Sequence, residues 1–184
     1  MEPSHETVVR DTARWLERAV IGLNLCPFAK AVHVKGLVHY AVSDAVDEQA
    51  LLADLASELG ALAAVDPSVR ETTLLIVPRC LQEFLDFNDF FGRAERLVRK
   101  TGLEGVIQLA SFHPQFVFAD AQSDDVTNCT NRAPYPVIHL LREESISRAV
   151  ESFPQAEAIF EANIETMRRI GRDGWDALGV GRSR

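Results

Sequence analysis

The chain has 184 residues, 47% of them apolar and 25% charged, with a formal net charge of -8. That length supports one domain with a real core, and the acidic balance argues against a sequence-independent nucleic-acid binder, which draws its affinity from Lys and Arg on phosphates. No apolar run approaches the roughly 20 residues that cross a bilayer, so no membrane partner is expected.

The first residues, MEPSHETVVRDTARW, are polar and lack the basic-then-apolar layout of a signal peptide. Cys26, Cys80 and Cys129 are too few, and odd in number, for a disulfide framework. Both features point to the cytoplasm.

Residues 6–21 place Val9, Ala13, Leu16 and Val20 at three-to-four spacing. This predicts an amphipathic helix, with Gly22 as its stop. Val32, Val34, Val38, Tyr40 and Val42 occupy even positions of 31–42 and predict a strand bent near Gly36. Asp44 and Asp47 offer N-caps to a second helix carrying Leu51, Leu55, Leu59 and Leu62. The run TTLLIV over 72–77, bounded by Pro78, suits a strand covered on both faces.

A third helix is marked by Phe84, Phe87, Phe91, Ala94, Leu97 and Val98, and Gly102 ends it. GVIQLASF over 105–112 is a third strand, residues 115–119 a short hairpin partner or extended loop, and PVIHLL over 136–141 a fourth strand. A helix over 143–151 follows. Ser152-Phe153-Pro154-Gln155 has the capping-box spacing that opens a last helix, with Phe160, Asn163, Met167 and Ile170 on its face. The remaining GRDGWDALGVGRSR lacks a periodic apolar face.

Strands alternating with long helices imply crossover connections. The expected fold is a single α/β domain over residues 1–172, with a three- to four-stranded, mostly parallel sheet, and a flexible tail over 173–184. A ferredoxin-like two-layer α+β arrangement is the alternative.

The chemistry-bearing residues gather in SFHPQFVFADAQSDDVTNCTNRAPYPVIHLLR, over 111–142. A long loop of this composition inside a compact domain points to function. His113 falls at the carboxyl end of the third strand, the edge where open α/β sheets bind ligands. It reads either as a proton-transfer group or as a histidine holding its loop in place. Cys26, in Asn24-Leu25-Cys26-Pro27-Phe28, reads either as a reactive thiol, which needs a nearby cation, histidine or helix N-terminus, or as a small buried hydrophobe.

Arg132 follows Asn131 and precedes Ala133-Pro134-Tyr135-Pro136. Its planar fork suits a two-pronged clamp on a carboxylate or phosphate; the rival is an internal salt bridge to Asp124, Asp125 or Glu143. Pro134 and Pro136 stiffen the frame after it, so Arg132 is expected to face a concave pocket walled by His113 and the 120–131 loop. Gln115, Asn128 and Asn131 are the companion substrate-binding residues, although loop asparagines more commonly tie backbone groups together. His113, Asp120, Asp125 and His139 could supply ligands to zinc or iron, but no tight ligand pair exists among them. No glycine-rich phosphate loop, GxSxG elbow or dinucleotide fingerprint specifies a cofactor.

Three blocks taken together, NLCPFA over 24–29, SFHPQ over 111–115 and TNRAPYP over 130–136 with HLLR over 139–142, resemble an uncharacterised bacterial family, domain of unknown function 1415. The resemblance runs from Trp15 to about Trp175. It implies a single-domain protein of this size and assigns no activity, cofactor or site residue.

The leading functional expectation is a small enzyme acting on an anionic substrate. Cys26 would be its nucleophile or redox thiol, His113 its base and Arg132 its anchor. Two alternatives stand beside it. One is a non-catalytic binding protein for an anionic ligand or a protein partner, and the other a metal-dependent enzyme using His113 and the loop aspartates. The sequence leaves the oligomeric state open.

Overall fold

A computed structural model describes residues 2–152 and 158–183. Helix α1 (His5–Trp15) is capped by Ser4, whose hydroxyl accepts from the Thr7 N–H at 3.2 Å. This satisfies one of the donors that a helix start leaves unpaired. The chain then widens into a π-helical turn, Leu16–Ile21, instead of continuing as the single α-helix predicted. Hydrogen bonds from Gly22 to the Glu17 carbonyl and from Leu25 to the Val20 carbonyl span five residues. Gly22 is right-handed, with φ -61°, so it is not the left-handed stop expected. The wide turn needs glycine for another reason: a Cβ there would lie 2.2 Å from the Arg18 carbonyl oxygen.

The expected strand over 31–42 is corrected at its first half. Helix α2 (Ala29–Val34) precedes strand β1 (Val38–Val42). Gly36, with φ +69°, ends α2 rather than bending a strand. Its N–H bonds to the His33 carbonyl at 2.9 Å and the Leu37 N–H to the Val32 carbonyl at 3.1 Å, the paired bonds of a Schellman stop. Alternating valines mimicked a strand because a six-residue helix is too short to show its own period.

Helix α3 (Glu48–Ala64) is capped by Asp47, which accepts from the Ala50 N–H at 2.8 Å. Strand β2 (Thr72–Ile76) is buried at every residue. Helix α4 (Phe84–Lys100), strand β3 (Ile107–Phe112), a 3-10 segment (Val126–Asn131), strand β4 (Val137–Arg142) and helix α5 (Glu143–Ser152) follow. The last element, α6 (Ala158–Ala177), breaks at Gly171 with φ 62° and ψ -172°, a backbone region that glycine alone enters readily. Most of the capping box expected at 152–155 lies outside the described residues.

The sheet order is β1-β2-β4-β3. β1 and β2 pair parallel, while β4 runs antiparallel to both β2 and β3. Three strands therefore point one way, and β4, inserted between β2 and β3, makes the sheet mixed rather than mostly parallel. Helices cover both faces, which replaces the two-layer alternative with three layers.

On one face Leu75, Val77, Ile138 and Leu140 pack with Leu51, Leu55, Phe87 and Phe90 of α3 and α4. On the other, Leu74, Ile76 and Val137 pack with Trp15, Ala19 and Met167. Each fully buried leucine of the α3 stripe contributes roughly 1.5–3 kcal/mol of transfer free energy. Val42, Ile76, Val137 and Phe112 end the sheet in register. The residues just beyond them, Ser43, Val77, Pro136 and His113, form the edge that carries the site. Among the described residues no helix is long and apolar enough to cross a membrane.

A cationic cleft at the carboxyl edge of the sheet

His113 leaves β3 pointing toward the α4 face, because successive strand residues alternate sides and Phe112 packs on the other face against Trp15, at 5.1 Å between ring centroids. The imidazole is fully buried between Phe84 and Phe87, with centroids at 5.5 and 5.2 Å. The Gln115 N–H donates to Nδ1 at 3.0 Å, so Nδ1 carries no proton; Nε2 therefore carries it and donates to the Leu81 carbonyl at 3.1 Å. Burial pushes the ring's pKa down, the Leu81 carbonyl opposes that, and the Arg182 charge adds to it. His113 is a neutral tie between two loops, with both nitrogens engaged by backbone.

The structure does not bring Cys26 to His113. Cys26 is half-buried and packs against the cluster under α1 and α6, on the face of the sheet opposite Phe84 and Phe87. This corrects the expected nucleophile–base pair, since proton transfer needs hydrogen-bond reach or one bridging water. Asn128 and Asn131 also turn inward. Asn128 accepts from the Phe118 N–H and donates to the Gln122 carbonyl. Asn131 donates from its side chain to the Ser111 carbonyl and accepts the His113 N–H on its own. Both hold the loop, as asparagines commonly do, instead of facing a ligand.

The expected metal ligands scatter. His139 sits on the α1 face, hydrogen-bonded to the Thr72 hydroxyl at 2.7 Å, and burial pushes its pKa down to about 4. Asp125 caps the 3-10 segment through Thr127, and Asp120 is exposed. Among the described residues no three His, Cys, Asp or Glu side chains come close enough to hold a metal ion.

Arg132 does face open space, at the wall between two cavities. The smaller, of about 310 Å³, is lined by Arg132, Arg172 and Arg182 together with Pro114, Trp175 and Gly181. The larger, of about 910 Å³, shares Arg132 and Pro114 and adds Phe84, Gln115, Phe118 and Ser123. His113 lies buried behind this wall rather than on it.

All three guanidiniums are held by neutral acceptors. Arg132 donates to the carbonyls of Phe116 and Ser123 at 3.2 and 2.8 Å. Arg172 donates to the Asp124 carbonyl at 3.2 Å and to the Cys129 sulfur at 3.6 Å. Arg182 donates to the Pro134 carbonyl and the Gln82 side chain, both at 2.7 Å, and stacks 4.6 Å over the Tyr135 ring. The arginine ion pairs among the described residues involve Arg14, Arg70, Arg79, Arg93 and Arg148 instead. The rival expected for Arg132, an internal salt bridge to Asp124, Asp125 or Glu143, therefore does not form.

Neither Arg172 nor Arg182 is marked by the sequence: Arg172 falls at the last residue of the expected domain, and Arg182 in the tail over 173–184 that is expected to be flexible. That expectation is corrected. Trp175 and Val180 are buried, and the segment after α6 lies as a strap against α1. Arg14 donates to the Gly181 carbonyl at 2.9 Å and Arg18 to the Leu178 carbonyl at 3.0 Å. The available signal was the pair of large apolar residues, Trp175 and Val180, spaced through an otherwise polar tail.

The fold and site together define a three-layer α/β protein with a cationic cleft built from the strand-end loops and a docked C-terminal strap. The chain belongs to the family described as protein of unknown function (DUF1415), which it matches over residues 7–177. No curated protein and no solved structure matches it.

Proposed function

We propose that this protein binds a small anionic molecule, bearing a phosphate or carboxylate group, in the cleft formed by Arg132, Arg172 and Arg182. One observation carries the reading: three guanidiniums line one small cavity and are oriented by carbonyls, an amide and a thiol rather than neutralised by carboxylates. Each guanidinium has five N–H donors; Arg172 and Arg182 each make two hydrogen bonds to the protein, and Arg132 adds one to the Cys129 thiol to its two carbonyl bonds. Like charges gathered round one cavity repel, and a bound anion relieves that repulsion. The contrast with a chain of net charge -8 sharpens the argument, since a cationic cleft on an acidic protein steers anions to one place.

The binding-protein reading is favoured over thiol catalysis because Cys26 and His113 pack on opposite faces of the sheet. Its work belongs in the cytoplasm: Cys26, Cys80 and Cys129 are all free thiols, the state a reducing compartment maintains.

Titration calorimetry with inorganic phosphate tests the proposal. One saturable site is expected, weakened by added chloride, with Arg172→Gln and Arg182→Gln each lowering affinity about ten-fold, or about 1.4 kcal/mol. Circular dichroism of each variant checks that folding is retained. Absence of saturable binding, or equal binding by the well-folded variants, overturns the reading.

A further inference from the structure

Both cavities belong to one site with a defined polarity, an inference that rests on the anion reading above. They share the walls Pro114 and Arg132, so a molecule anchored among the three arginines reaches the larger cavity past the Arg132 side chain. That second cavity is of different chemistry. Phe84, Val117, Phe118 and Ala121 wall it, and at about 910 Å³ it falls in the range of ordinary ligand pockets, about 300–1,000 Å³. The two aromatic wall residues touch further rings outside the cavity lining: Phe116 lies 5.0 Å from Phe84 and 4.9 Å from Phe118, and Phe118 meets Phe160 edge-on at 6.2 Å. Leu85, a wall residue, is 74% exposed, and Phe160, which packs on Phe118, is 57% exposed, so apolar surface is left in water beside the charged cleft.

The charges differ as well. Glu83 and Asp86 wall the larger cavity and are absent from the smaller. An anionic group is therefore favoured in the arginine cavity and repelled in the aromatic one. We infer that the ligand is a small amphipathic anion, with a single phosphate or carboxylate head among Arg132, Arg172 and Arg182 and an uncharged aromatic or short acyl body against Phe84 and Phe118. Burying that body adds hydrophobic free energy to the electrostatic anchoring of the head. The acidic residues reject molecules charged negatively at both ends, which supplies selectivity through repulsion.

Calorimetry with three probes tests this: inorganic phosphate, phenyl phosphate and 4-carboxyphenyl phosphate. Phenyl phosphate is expected to bind at least ten-fold more tightly than inorganic phosphate, and the added carboxylate is expected to erase that gain. Ala121→Trp, which fills the aromatic cavity, should remove the gain. The comparison among probes on the unaltered protein stands even if that variant folds poorly. Phenyl phosphate binding no tighter than inorganic phosphate overturns the inference and leaves the anion site intact. If none of the probes binds, the anion reading fails and this inference fails with it. Sedimentation with anionic phospholipid vesicles, without binding of the soluble aryl phosphate, also overturns it.

Discussion

Ser183 donates its backbone N–H to the Asp11 carboxylate at 2.8 Å and its hydroxyl to the other carboxylate oxygen. Asp11 is fully buried on α1, and Arg14 and the Tyr135 hydroxyl complete its partners at 2.8 and 3.0 Å. Burial alone would raise the Asp11 pKa; the Ser183, Tyr135 and Arg14 contacts outweigh it and hold the carboxyl below its ordinary 3.8. This contact ties the C-terminal strap to α1 and so fixes Arg182, the residue before it, over Tyr135.

Asp11→Asn should therefore lower stability by about 2–4 kcal/mol, because it leaves Arg14 without its charge partner and turns an acceptor into a donor facing Ser183. It should also weaken phosphate binding through Arg182. The native carboxyl has the lower pKa, so its contribution is complete above pH 3.8 and is lost as the pH falls through the native value. Thermal melts of both proteins at pH 7 and pH 3 check this: the difference between them should shrink in acid.

Two histidines give a second window of the same sign at higher pH. Burial depresses His139 to about 4 and leads the depression of His113. Unfolded histidine titrates near 6.5, so between roughly pH 6.5 and 4 the unfolded chain takes up protons that the native chain refuses. Stability should rise with pH across that window, and Tm should fall on going from pH 7 to pH 5. His139→Gln should flatten the slope. An unchanged Tm between those two values would contradict the downward shift of both imidazoles.

His113→Phe tests the tie between loops. The replacement keeps the ring between Phe84 and Phe87 but leaves the Leu81 carbonyl and Gln115 N–H without their partner. Leu81 already holds a left-handed backbone, with φ 54°, which is unfavourable for a bulky residue by about 1–2 kcal/mol. A loss of about 2–4 kcal/mol in denaturant melts is expected. Glu83 and Phe84 wall the larger cavity, so ligand binding there should weaken more than binding of inorganic phosphate.

The three thiols should react in two classes. Cys80 and Cys129 are buried, and burial leads in pushing both thiols up, so alkylation should wait for unfolding. Cys26 is half-buried and should label first in the native protein. Mass spectrometry after timed iodoacetamide exposure gives the order, and early labelling of Cys129 would contradict the packing around Arg172.

Long periodic segments were legible in the sequence. The leucine stripe of α3 and the apolar β2 formed where patterning placed them, because burial of one face decides those elements; α4 also formed, but Phe90 rather than the expected Phe91 is its second fully buried ring. Residues 29–34 were not legible: their fate depends on the wide turn before them and on Gly36 after them. The reversal of β4 was also hidden, since strand patterning carries no direction. At the cleft, although His113 does not wall the cavity, the exposure of Arg132 to it was legible from its rigid frame of prolines. Its partners Arg172 and Arg182 were not, because they reach the cleft only through the break at Gly171 and the Ser183–Asp11 contact. His113 was placed at the correct strand end, but sequence could not show that two backbone groups occupy its nitrogens.

Crystals soaked in selenate address the anion site most directly, since the anomalous signal locates the ion independently of any binding curve. An anomalous peak inside the smaller cavity, within hydrogen-bond distance of Arg172 and Arg182 and lost in Arg182→Gln crystals, is the predicted result. A cavity without selenate while the ion occupies other surface sites, or a peak unchanged in the variant, would contradict it.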